Sequence, residues 1–63
     1  MKFTLEIDCD NAAFADCWRT EVATILENQV VPRLLNGGID PTFLTLRDTN
    51  GNVVGEAVLK VNG

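Results

Sequence analysis

The chain has 63 residues, with nine acidic and five basic side chains and no histidine, serine or tyrosine. Without imidazole there is no ordinary general base near neutral pH. Without serine there is no such nucleophile to activate, and two cysteines are too few ligands for a conventional metal enzyme. These absences argue for a protein that is not an enzyme and that carries no cofactor or metal ion.

The chain is long enough for one small domain, 1–63. At this size only about 60% of the unfolded surface is buried on folding, so its stability margin is thin. Apolar residues nevertheless make up 46% of the sequence in a patterned arrangement, which favours a fold over disorder. No window is apolar for the roughly 20 residues a bilayer requires, and no signal-peptide core is visible. The expectation is no membrane contact and a cytoplasmic location. Cys9 and Cys17 read as two reduced, partly buried small hydrophobes, with a bridge open as the alternative.

From Lys2 to Cys9 the sequence alternates, with Phe3, Leu5, Ile7 and Cys9 on one side and Lys2, Thr4, Glu6 and Asp8 on the other. This is the pattern of a half-buried strand. Asp10, Asn11 and Asp16 supply turn and capping chemistry around Ala12–Ala15, and Phe14 is placed under the sheet edge as a plug.

Between Cys17 and Leu35, residues Trp18, Val22, Ile25, Leu26, Gln29, Val30 and Leu34 recur near helical spacing, which predicts a helix about 28 Å long. Trp18 is read as core or core edge. Pro32 lacks the N–H that would bond to Asn28, so a kink or an early end is expected near Val30 or Val31. Asn36-Gly37-Gly38 stops the helix, and a turn follows at Asp40-Pro41.

Phe43–Asp48 and Val53–Val61 read as strands joined by Thr49-Asn50-Gly51-Asn52. Setting Asp48 opposite Val53 and Arg47 opposite Val54 brings Leu46 to Gly55, Thr45 to Glu56 and Leu44 to Ala57. That register requires a four-residue loop. A three-residue loop with a glycine bulge ranks second, because it shifts the pairing by one. The last strand is the most apolar and therefore central. The expected fold is α+β: β-α-β-β, an antiparallel sheet in the order 1-3-2 with one helix across one face.

Asp8, Asp10 and Asn11 do not complete a calcium loop, since Ala12, Ala13 and Arg19 fall where a ligand, the glycine and the closing glutamate belong. The glycine turns lack the strand and helix context of a phosphate loop. The five bases are scattered singly, which argues against direct nucleic-acid binding. Charge is unevenly distributed along the chain. Residues 1–31 hold six acids (Glu6, Asp8, Asp10, Asp16, Glu21 and Glu27) and two bases, whereas residues 32–63 are neutral. Glu6 and Asp8 share the solvent face of the first strand roughly 6.6 Å apart, a spacing that resembles a run of backbone phosphates.

Two segments, Phe3-Thr4-Leu5-Glu6-Ile7-Asp8-Cys9-Asp10-Asn11-Ala12-Ala13-Phe14 and Leu46-Arg47-Asp48-Thr49-Asn50-Gly51-Asn52-Val53-Val54-Gly55, resemble a group of very short bacteriophage and prophage proteins. Glu21-Val22-Ala23 and Ile25-Leu26 belong to the same pattern. Small anti-CRISPR proteins are the functional analogy this setting suggests. The analogy implies a stoichiometric inhibitor whose acids Glu6, Asp8, Asp10, Asp16, Glu21 and Glu27 cover a basic DNA-binding surface of a CRISPR effector complex or similar bacterial protein. The inhibitor would be a monomer or weak dimer in the host cytoplasm. The competing expectation is a non-catalytic interaction module that uses an apolar sheet-face patch at Phe43, Val54 and Val58.

Overall fold

A computed structural model describes residues 1–36 and 43–61. Strand β1 (Lys2–Ile7) leads through a 3-10 turn at Ala12–Phe14 into a continuous helix. The helix comprises α1 (Trp18–Ile25), a wide π turn (Leu26–Val30) and α2 (Val31–Leu35), and is followed by β2 (Phe43–Arg47) and β3 (Val53–Lys60). The sheet is antiparallel in the order β1-β3-β2, as the alternation and the apolar last strand predict. The predicted Gly37-Gly38 stop and Asp40-Pro41 turn lie outside the described residues.

The helix packs on one sheet face around Phe14, Ile25, Val30, Leu44, Leu46, Val54 and Ala57, with Leu5, Ile7, Val22 and Leu26 against that core. Phe14 is buried as the plug the sequence suggests, held there by a short relay. Asn11 Oδ1 accepts from the Ala13 N–H at 2.9 Å, capping the 3-10 turn, while Asn11 Nδ2 donates to Asp48 Oδ2 at 2.7 Å.

Pro32 does not end the helix. The Val31 N–H bonds to the Leu26 carbonyl, five residues back, and this wider turn precedes the proline ring and lets the chain continue to Leu35. The helix buries less of its apolar stripe than periodicity implies. Ile25 and Val30 are buried, but Leu34 and Trp18 are half exposed. Trp18 therefore lies outside the core, with the Arg19 guanidinium 4.8 Å from its ring centroid.

The hairpin combines both loops that the sequence allows. Asp48 and Asn52 close a three-residue loop, with the Asp48 N–H bonding to the Asn52 carbonyl and Gly51 at φ 86°. This is the glycine-bulge turn, and it pairs Arg47 with Val53 in place of the expected Val54. A second irregularity between Leu46 and Arg47 then absorbs one residue of β3 and restores Leu46 opposite Gly55, Thr45 opposite Glu56 and Leu44 opposite Ala57. The extra residue is Val54, whose side chain turns into the core instead of facing solvent. β2 forms one sheet edge, where Gln29 pairs with it almost as a further strand would: its Nε2 donates to the Arg47 carbonyl at 2.6 Å and its Oε1 accepts from the Arg47 N–H at 2.9 Å.

Candidate functional site: an acidic sheet face

Side chains alternate along β1, so Lys2, Thr4, Glu6 and the following Asp8 project from the face opposite the helix. Glu6 stands directly across from Glu56 on β3, and Glu56 in turn pairs with Thr45 on β2. Glu6, Asp8, Thr45, Glu56 and Phe43 line a shallow hollow of about 350 Å³ on this face. Asp8 and Asp10 extend the acidic surface around the rim, where the Asp10 N–H donates to Asp8 Oδ1 at 3.1 Å. Like charges placed directly opposite in a sheet are destabilising, so the Glu6/Glu56 pair adds nothing to the fold. At the far end of the same face Lys2 pairs with Lys60, while Arg47, at the acidic end of β2, donates through Nη1 to the Gly51 carbonyl at 3.0 Å.

The six acids singled out from sequence therefore divide. Glu6, Asp8 and Asp10 come together on the sheet side, whereas Glu21 and Glu27 belong to the helical layer on the other face, with the exposed Asp16 leading into it. Glu21 is structurally engaged, its Oε2 accepting from the Thr49 N–H of the hairpin loop at 2.9 Å. Glu56 was missed because it lies in the electrically neutral half of the chain. The signal was nonetheless present, since the predicted strand order sets Glu56 between Thr45 and the first strand. Of the apolar alternative, Phe43 (47% exposed) and its cross-strand neighbour Val58 remain on the outer face, whereas Val54 is buried with the core and contributes only to the floor of the hollow.

Both cysteines are free. Cys9 is half-buried, but Cys17 is exposed at the start of α1, not partly buried as expected. Cys17 Sγ lies 3.0 Å from Thr20 Oγ1, and hydrogen bonds from the Thr20 hydroxyl and backbone hold the thiol below its ordinary pKa against a small opposing effect of burial. Cys17 should accordingly react several times faster than Cys9 with a disulfide reagent at neutral pH, and Thr20→Val should slow it. Stopped-flow thiol titration of each single-cysteine variant measures this, and equal rates for the two thiols would contradict the assignment.

Among the described residues no group of three carboxylates or thiols is placed to share a metal ion, and no helix is long and apolar enough to cross a membrane. No protein-family model matches the chain, and no curated protein or solved structure is significantly similar to it.

Proposed function

We propose that this protein is a stoichiometric inhibitor that lays its outer sheet face over a basic, DNA-binding surface of a bacterial defence complex, a CRISPR effector being the best-fitting class. The observation that carries the proposal is the convergence of Glu6, Glu56, Asp8 and Asp10 on the side of the sheet away from the helix. Fixed on or beside a rigid sheet, these carboxylates present charge without first having to be ordered. Opposite charge speeds the encounter, and fit to the partner's groove sets the dissociation rate. Phe43, half exposed beside the acids, supplies an apolar anchor of the kind that dominates interface energies. The phage-like sequence pattern and the absence of histidine, serine and tyrosine suit a protein that acts by occupying a surface in the bacterial cytoplasm.

Titrating the protein against an effector complex bound to fluorescent target DNA tests the proposal. DNA should be released with a 1:1 end point, and affinity for the effector should fall at least about tenfold between low and physiological salt as counterions screen the carboxylates. DNA retained at saturating protein by every effector type tested would reject the proposal.

A further inference from the structure

We infer that β1 is a self-association strand: two copies of the chain pair antiparallel through their first strands, with Leu5 of each on the two-fold axis. This lies beyond the inhibitor reading and does not depend on it. The two edges of the sheet differ. On β2 the backbone of Arg47 is occupied by Gln29. β1 is the other edge, and its regular, unbroken pairing with β3 fixes which backbone groups point away from the sheet. The Asp8 N–H bonds to the Val54 carbonyl at 2.7 Å, and the Glu6 carbonyl faces Gly55, so the even-numbered residues turn toward β3. Phe3, Leu5 and Ile7 then turn their N–H and C=O groups outward. Among the described residues these groups meet only the Cys9 thiol, 3.8 Å from the Ile7 carbonyl. β1 has no proline, no bulge and no charge on its inner face. Its edge charges, Lys2 and Glu6, are of opposite sign, so they guard it against many partners but suit an antiparallel copy of the same strand.

Side chains select both the occupant and the register. Centring the pair on Leu5 sets Phe3 against Ile7 of the second copy and uses all three outward-facing residues. Phe3, 42% exposed in the single chain, gains an apolar neighbour on the helix side of the enlarged sheet. On the outer face Lys2 falls opposite Asp8 and diagonal to Glu6 of the second copy. Within its own chain Lys2 faces only Lys60 across the ladder, and Glu6 faces Glu56. Antiparallel pairing thus brings the basic end of each first strand to the acidic end of the other, adding opposite-charge neighbours on the outer edge to the like-charge ones inside the sheet.

Sedimentation equilibrium up to about 1 mM protein, combined with amide exchange, tests this. The wild type should dimerise, with the Phe3, Leu5 and Ile7 amides gaining protection as concentration rises. Lys2→Glu and Asp8→Lys should each weaken the dimer at least about tenfold, and the double variant should restore it. The single changes move net charge in opposite directions, so non-specific repulsion would weaken one variant and strengthen the other. Both substitutions are at exposed positions, and the fold of each variant is checked by its amide spectrum. A chain that stays monomeric throughout, or a dimer that Asp8→Lys strengthens or leaves unchanged, overturns the inference.

Discussion

Gly55→Ala is expected to leave little folded protein at room temperature. Gly55 sits in β3 where β1 crosses closest: an added Cβ would run into the Glu6 carbonyl and stand 2.9 Å from Ile7 Cα. Both obstacles are backbone atoms of a paired strand, so no side chain can rotate away and β1 must shift bodily. Overpacking typically costs about 1–3 kcal/mol, and more where only backbone can yield as it must here, a loss comparable with much of the roughly 3–9 kcal/mol total stability of a domain of this length. Gly51→Ala provides the comparison. Nothing lies within 4 Å of its added Cβ, and only the positive φ of 86° opposes it, a penalty of about 1–2 kcal/mol. Urea unfolding should find Gly51→Ala folded with a lower midpoint and Gly55→Ala largely unfolded without denaturant. Equal midpoints would mean that β1 and β3 do not approach as described.

Asp48→Ala should be the next most damaging change, because one carboxylate organises two segments. Asp48 Oδ1 accepts from the Asn50 and Asn52 N–H groups at 2.8 and 2.9 Å, and Oδ2 accepts from Asn11 Nδ2 and Asn52 Nδ2 at 2.7 and 3.2 Å. Alanine would leave the turn amides without their acceptor and release the Asn11 relay that seats Phe14, lowering the thermal midpoint by roughly 5–10 °C. The same bonds give a pH dependence. Burial of Asp48 works to raise its pKa, but hydrogen bonds from Asn52, Asn11 and Asn50 outweigh burial and hold the carboxyl below its ordinary value. A lowered folded-state pKa means that the stabilisation is complete above the unfolded aspartate value of about 3.9 and is lost as pH falls through the folded-state value. Asp48→Asn retains an acceptor for the turn amides but presents a donor to Asn11 and Asn52. It should therefore be less stable than wild type at pH 7, with the difference narrowing below about pH 4. Thermal midpoints of the two proteins from pH 7 to pH 2.5 would show this convergence, and parallel curves would contradict it.

These residues show what was legible in the sequence. Strict alternation in Lys2–Ile7 and the apolar run at Val53–Lys60 were enough for the strand order, because burial of one face fixes side-chain direction with a period of two. The hairpin was harder. The face pattern favoured one register and Asn50-Gly51 favoured a turn that conflicts with it, and the conflict is resolved by a bulge that redirects Val54. Periodicity also could not show that a π turn would carry the helix past Pro32, or that Trp18 would lie beyond the sheet's cover. The acidic face was half visible. Dividing charge along the chain located Glu6, Asp8 and Asp10, yet the same division grouped Glu21 and Glu27 with them although the helix occupies the opposite layer. It also passed over Glu56, which only strand pairing brings beside Glu6.

The division of the acids also provides the decisive comparison. The DNA-release titration should be repeated with two charge-reversal sets of equal size, Glu6→Lys with Glu56→Lys on the sheet face, and Asp16→Lys with Glu27→Lys on the helical side. If the outer sheet face covers the basic groove, the first set should lose at least about 100-fold in inhibition, and the second should lose no more than about tenfold through long-range attraction alone. Full inhibition by the sheet-face set, with its fold intact, would contradict the account.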